Sequence, residues 1–382
     1  MYGFRTIILL TFVILLKYSQ GLSQQVELSG QLAGWMVSNP GQSFQSQIGL
    51  RYIPELSLEK NIQEKFSFDS ELSFNSYGSG DIYPFDSINT GGKIKPYRMW
   101  LRFTTPRFEV RAGLQKINFG SATFLRPLMW FDRIDPRDPL QLTDGVYGVL
   151  TRYYFLNNSN IWLWGLVGNK DTKGWEFIPS HKKKVEYGGR VQVPLYTGEI
   201  AATWHHRQAN LENVNFTEPV SSKDLVPENR FGLDGKWDIG IGLWFEGVFI
   251  HQDLDLTENV YKRFVNLGWD YTFNLGNGLN VMNEFFVFDV SDKAFGEGEG
   301  VSFSALSLNY PLSILLNITA IIYYDWDNKD MYRFLNWQWQ FDNCSLYVMG
   351  FWNPDKFQIY QNLRENTFFS GKGLYLMAVF NH

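Results

Sequence analysis

The chain has 382 residues, of which 45% are apolar, 19% charged and 17% aromatic, with 32 Phe, 20 Tyr and 14 Trp. A polytopic helical membrane protein would need several runs of about 20 apolar residues, and a disordered chain would be poor in aromatics, so both are excluded. The single cysteine, Cys344, excludes a disulfide framework and a Cys-based zinc site, and a net charge of −5 argues against nucleic acid as a partner.

Residues 1–23 come first. Arg5 gives a charged start, Ile7 to Leu16 form an apolar stretch, and Gly21 and Ser23 are small residues before a cut at Gln24. This pattern predicts a cleaved secretory signal peptide, too short to span a membrane. No Cys follows the apolar stretch, which excludes lipoprotein processing. Residues 24–382 are then one unit, with a net charge of −7.

After that, nearly every segment alternates with the strand period of two. Tyr97, Met99, Leu101 and Phe103 share one face, and Arg98, Trp100 and Arg102 the other. Phe231, Leu233 and Trp237 likewise oppose Arg230, Asp234 and Lys236. The predicted strands are 25–36, 43–53, 64–75, 95–104, 107–116, 145–155, 159–168, 184–194 and 197–207. They continue as 229–237, 239–251, 260–273, 278–290, 301–310, 312–324, 330–340, 342–352 and 371–381.

The connections carry further information. Tight turns such as Thr104–Arg107, Asn157–Ser159 and Gly276–Gly278 alternate with the longer segments 76–94, 117–144, 169–183, 208–228, 252–259, 291–300 and 353–370. Short turns on one side and long loops on the other are the pattern of outer-membrane barrels. The fold class is therefore an all-β, transmembrane, antiparallel up-and-down barrel of about 18 strands, or 16 if 25–36 and 43–53 are not strands. A soluble sandwich alternates too, but does not explain the loop asymmetry together with an export signal. Trp162, Trp164, Trp237, Trp269, Tyr323, Trp337 and Trp339 lie near strand ends, where aromatic girdles would sit. The last strand finishes on an aromatic, Phe380, third from the end.

No catalytic signature is present, so no enzyme is expected. His205 and His206 are adjacent and would point to opposite faces of a strand, so they cannot chelate together. Asp325-Trp-Asp-Asn-Lys-Asp330 spaces its carboxylates as calcium loops do, but lacks the glycine and terminal Glu of an EF-hand; a solvated turn is the simpler reading. No metal and no cofactor are expected.

The segment Arg111–Gly145 stands apart. A strand ends near Lys116, and a long connection then mixes Arg126, Asp132, Arg133, Asp135, Arg137, Asp138 and Asp144 with Trp130 and Phe131. Long loops without periodicity are usually functional, and Pro127, Pro136 and Pro139 limit its freedom. Arg111, Gly113, Gln115 and Gly120, followed by Asp135-Pro136 and Asp138-Pro139, resemble a segment of porin-like outer-membrane barrels of the alginate-export type and related Bacteroidota barrels. The resemblance covers about 40 residues, with the rest alike only in hairpin pattern. It implies an 18-stranded barrel narrowed by inward loops. Arg126, Asp132, Arg133, Asp135, Arg137 and Asp138 are then the expected pore constriction; an external, salt-bridged cap on the rim is the other reading of this loop.

Alternation places Arg98, Arg102, Arg111, Arg152, Arg190, Arg207, Arg230, Lys236 and Lys262 on the inner face. Asp69, Glu71, Glu109, Glu186, Glu199, Asp234, Glu246, Asp270 and Glu284 join them. The basic residues gather on the fourth to sixth strands, with Glu109 against them, which leans toward anions; a paired ladder bracing the wall is the competing reading. The expected function is a porin-like channel for small or oligomeric polar solutes, in the outer membrane of a Gram-negative bacterium and surrounded by its lipid. The alternative is a plugged barrel serving an export or assembly complex in the envelope, with loops 208–228 and 353–370 docking protein partners. TonB-coupled transport is disfavoured, since such transporters use 22 strands around a plug.

Overall fold

The computed structural model describes residues 24–39, 45–62, 65–83, 87–212, 223–254, 260–354 and 369–382. The signal expected at 1–23, much of the loops 208–228 and 353–370, and Phe357, Tyr360 and Phe368 lie outside the described residues. Among the described residues are eighteen strands. They are β1 (Gln24–Asn39), β2 (Gln45–Ile62), β3 (Phe66–Ile82), β4 (Ile88–Thr104), β5 (Phe108–Gln115) and β6 (Val146–Tyr154). Next come β7 (Asn160–Leu166), β8 (Glu186–Leu195), β9 (Gly198–Asn210), β10 (Leu225–Asp238), β11 (Gly242–Gln252) and β12 (Tyr261–Phe273). The last six are β13 (Leu279–Ser291), β14 (Glu299–Pro311), β15 (Leu316–Asp325), β16 (Asp330–Gln340), β17 (Cys344–Trp352) and β18 (Lys372–Asn381).

Each strand pairs antiparallel with its sequence neighbours, and β1 pairs with β18 from Gln31↔Asn381 to Ser38↔Leu374. The sheet is a closed up-and-down barrel, so it has no free edge. The final residue joins the seam: Gly30 and His382 exchange two backbone hydrogen bonds of 3.0 Å, and the His382 ring stacks on Tyr52. All eighteen alternating segments are strands. The largest departure from the alternation pattern is at 76–94, a loop by sequence and paired strand in the structure. There β3 and β4 keep pairing to Ile82↔Ile88, and β2 follows β3 as far as Ser46↔Ile82. Gly78, Gly80, Gly91 and Gly92 interrupt the apolar period, so the strand signal vanishes although the backbone ladder continues.

Polarity divides the inside of the barrel in two. From β8 to β11 the inward positions carry Glu186, Arg190, Arg207, Glu228, Arg230, Asp234 and Glu246, all buried. From β12 to β18 they carry Phe264, Phe286, Phe303, Tyr323, Tyr332, Phe334, Phe351 and Tyr375, also buried. Three aromatics expected in the girdles turn inward: Trp164, Trp162 beside it, and Tyr323. Trp164 donates to His205 Nδ1 at 3.1 Å, and Trp162 takes the Arg152 guanidinium on its face at 3.9 Å. They sit on even or odd positions set by their neighbours' register, and nearness to a strand end does not determine the face.

Candidate functional site

The segment 116–145, between β5 and β6, folds into the barrel. Its base is prepared by three residues of the sequence motif. Gln115 is fully buried, and its amide donates to the carbonyls of Arg111 and Gly148, both at 3.1 Å. Gly113 has φ +123°, and a Cβ there would lie 2.2 Å from the Met99 carbonyl oxygen. Gly120 has φ +92°, and a Cβ there would lie 2.3 Å from Glu246 Oε1. Only glycine meets both demands.

Gly120 is where the loop reaches the far wall. Glu246 on β11 accepts the backbone N–H groups of Ser121 (2.5 Å), Ala122 (2.7 Å) and Leu128 (3.1 Å). Glu284 on β13 accepts those of Thr123 (2.6 Å), Phe124 (3.1 Å) and Leu125 (2.8 Å). Asn266, on β12 between them, donates to the Leu125 carbonyl at 2.8 Å and to Glu284 at 3.2 Å. These strands lie six to eight places from β5 in a ring of eighteen, so the loop spans the lumen. Two carboxylates thus satisfy six backbone donors that would otherwise be stranded away from water. Alternation had put Glu246 and Glu284 on the inner face; no sequence signal named their partners, which lie more than a hundred residues away.

The six expected constriction residues divide into groups. Arg126 and Asp132 form a buried ion pair at 3.0 Å that braces the loop internally. Asp135 accepts the Arg137 backbone N–H (2.9 Å) and its guanidinium (2.6 Å), and that guanidinium lies over the rings of Phe369 and Phe334. Asp138 accepts the Leu140 N–H at 3.0 Å. Asp132, Arg133 and Asp138 line a cavity of about 500 Å³ between this loop, the wall of β2–β4 and segment 167–185. They do not meet as one ring.

A second inward loop, 167–185 between β7 and β8, was read only as a long connection. Trp175 stacks on Phe286 with ring centroids 5.3 Å apart and donates to the Arg126 carbonyl at 2.7 Å. Lys173 pairs with Glu186 (3.0 Å), and Glu176 with Arg230 (2.6 Å) and Arg207 (3.4 Å). Loop–wall contacts of this kind leave no periodic trace. Together the two loops and the aromatic wall form one apolar cluster running through Phe119, Leu128, Phe131, Phe264, Phe286 and Tyr323.

The basic wall is more balanced than the sequence reading made it. Arg98 is buried and donates to the carbonyls of Tyr97 and Thr143, tying the loop's return to β4. Arg102 pairs with Asp69 at 2.9 Å, and Arg111 and Arg152 share Glu109 at 3.2 and 3.6 Å. Trp100 donates to Glu71 at 3.0 Å and lies between Arg102 and Arg111. Three guanidinium groups therefore face Asp69, Glu71 and Glu109. Arg190 forms a buried two-pronged pair with Asp234, at 2.6 and 2.7 Å. Asp325 accepts the N–H groups of Asp327 and Asn328, both at 3.0 Å, as the cap of a turn.

No protein-family model matches the chain, and no curated protein matches it in sequence. Solved structures do match its fold. OccAB1 of Acinetobacter baumannii has a TM-score of 0.58 at 11% identity, covering 95% of this chain and 97% of that one. The in-vitro folded outer membrane protein OmpT of Vibrio cholerae, in its trimer form, has a TM-score of 0.54 at 10% identity over 94% and 100%. An anion-selective porin from Comamonas acidovorans has a TM-score of 0.51 at 11% identity over 94% and 100%. At such identities the likeness is one of fold: a closed 18-strand barrel of the porin kind. It does not single out the alginate-export type.

Proposed function

We propose that the chain is an outer-membrane channel of a Gram-negative bacterium, exported by the signal at 1–23, that passes small polar solutes through a lumen narrowed by loop 116–145. The observation that carries this reading is the loop's fastening across the lumen by Glu246 and Glu284. Eighteen strands alone would leave an aqueous channel, so the loop sets the free section. Ion preference would come from the partly exposed Arg102, Arg111 and Arg152 near the turn-bearing end, where carboxylates reduce the field that the arginines alone would give.

The test is single-channel conductance of the refolded protein in a planar bilayer, with a salt gradient. Small steady steps are expected. A second reading, a plugged barrel serving an envelope complex, is favoured by the apolar cluster that joins both inward loops to the far wall. Absence of conductance from protein shown to be folded by heat-modifiable gel mobility would decide for it. A barrel of the alginate-export type would in addition conduct anionic oligosaccharides, which solute competition in the same bilayer would reveal.

A further inference from the structure

On the turn side of the inward loop the two walls of the lumen differ in kind. On β3 to β6 the inward positions hold the paired charges of Asp69, Arg102, Glu109, Arg111 and Arg152. On β13 to β18, between Glu284 and the turns, no inward strand position among the described residues carries a charge. Amides and hydroxyls stand there instead. The buried Phe286, Phe303, Tyr323 and Phe334 fix which alternate positions face in. By that alternation Asn280, Asn309, Thr319 and Gln338 face the lumen, from β13, β14, β15 and β16 in turn. The register joins them. Asn280 pairs with Asn309, and Asn309 with Thr319. Asn317, also inward on β15, pairs with Gln338, and Gln338 with Tyr347 on β17. Neighbouring strands lie about 4.8 Å apart, so a lattice of uncharged polar groups repeats at that step from β13 to β17.

The donors of this lattice are partly used and its acceptors are open. Asn309 and Asn317 donate to Thr319 Oγ1 at 2.9 and 3.3 Å, and Asn280 donates to Thr272 Oγ1 at 3.1 Å. Gln338 Nε2 lies 3.4 Å from both Gln340 Oε1 and the Tyr347 hydroxyl, too far for strong bonds. Asn309, Asn317 and Gln338 are half-buried, and their side-chain oxygens accept no hydrogen bond among the described residues. Thr319 Oγ1 receives two bonds and keeps its own proton to donate. A wall of this kind offers an ion no field in exchange for its hydration. A polyol fits it, because every hydroxyl both donates and accepts. One such molecule can replace several waters at once, holding all of their bonds on a single body. The lattice is also well placed. Asn280 sits two inward positions from Glu284, which fastens the loop, so a solute clearing the loop meets it next.

We infer that the amide lattice of β13–β17 is a binding subsite for uncharged polyols, the hydroxyl-rich rings of a neutral saccharide. Ring hydroxyls donate to the oxygens of Asn309, Asn317 and Gln338 and accept from Thr319. The inference deepens the channel reading and rests on it for the solute's route, though not for the binding itself. The lumen then carries two lanes: ions follow the paired charges of β3–β6, and neutral sugar follows the amides across the ring of strands.

The test uses three probes of similar size: maltotriose, trigalacturonate and a polyethylene glycol. In a planar bilayer, maltotriose on both sides is expected to interrupt the ion current saturably. Trigalacturonate should do so more weakly, and the glycol should only lower the current in proportion to its concentration. Isothermal titration of the full chain in detergent reads maltotriose binding without conduction. Asn309→Ala combined with Gln338→Ala should raise the half-blocking concentration about tenfold, the scale of two neutral hydrogen bonds lost, and Gln338→Ala alone about threefold. Heat-modifiable gel mobility checks the fold of each variant. Saturable block by the glycol, block by trigalacturonate as strong as by maltotriose, or an unchanged half-blocking concentration in the folded double variant would each overturn the inference. Conductance from a barrel that does not bind maltotriose would overturn the subsite and leave the channel standing. Maltotriose binding by a folded barrel that does not conduct would overturn the channel and leave the subsite standing.

Discussion

If two carboxylates hold loop 116–145 across the lumen, removing both should open it. Each of Glu246 and Glu284 takes three backbone N–H groups. A hydrogen bond to a charged group contributes roughly 1.5–3 kcal/mol, so each carboxylate is worth on the order of 5 kcal/mol to the docked loop. The competing anchor is apolar: Phe124, Leu125 and Leu128 are buried against the wall. At roughly 1.5–3 kcal/mol per buried side chain, they hold the loop with a similar total. Glu246→Ala or Glu284→Ala alone leaves the other carboxylate and the apolar contacts, together on the order of 10 kcal/mol, against three stranded donors at about 1–3 kcal/mol each, so the loop should stay docked with brief openings seen as a flickering conductance. The double variant leaves six stranded donors, whose cost of about 1–3 kcal/mol each exceeds the apolar gain, and the loop should leave the lumen. Single-channel recording should show larger, steadier steps, and trypsin should cut after Arg133. A folded double variant with wild-type conductance and an uncut loop would refute the clamp.

Other predictions follow from the same geometry. Gly120→Ala forces a Cβ against Glu246 at a φ of +92°, so it should mimic Glu246→Ala in conductance while leaving the barrel's heat-modifiable mobility intact. Trp175→Ala removes the stack on Phe286 and the bond to the Arg126 carbonyl; Trp175 is half-buried, so the cost falls below the about 3–5 kcal/mol of a fully buried aromatic, and loop 167–185 should become the first site cut in limited proteolysis. Reversing Arg102 and Arg111 to Glu turns a balanced wall into an acidic one, and should move the reversal potential toward cations; an unmoved potential would take that wall out of the conduction path. Arg190→Met strands Asp234 in a buried position and should cost about 3–5 kcal/mol, read as a lower temperature of the gel-mobility transition; no change would mean that the pair braces nothing.

The barrel was legible because a membrane wall imposes a period of two on every strand, and β9 shows it in Thr203, His205 and Arg207 facing in and Ala202 and Trp204 facing out. Where both faces are apolar the period fades. Phe285 and Phe286, or Tyr323 and Tyr324, look alike in the sequence, yet the second of the first pair and the first of the second are inside. The aromatic half of the lumen was therefore invisible, although its strands were counted correctly. Cross-strand pairs such as Glu228↔Arg207 and Asp69↔Arg102 needed the register, which alternation does not supply.

The loop motif shows why the candidate site was only half readable. Gly113, Gln115 and Gly120 stand out within a few residues, and each has a local reason: a close approach to Met99, a bridge to two carbonyls, a contact with Glu246. A reader of the sequence can see that the chain must turn sharply there. What it turns toward is set by Glu246, Asn266 and Glu284, one inward residue on each of three successive strands. Each is one polar residue among many inward polar residues, and backbone N–H groups, which carry no sequence identity, are what those two carboxylates bind. Charges on the wall were visible as types, but whether a given arginine is free or paired depends on its neighbours in space. Arg102 and Arg111 drew notice by clustering, yet in space they are paired with Asp69 and Glu109.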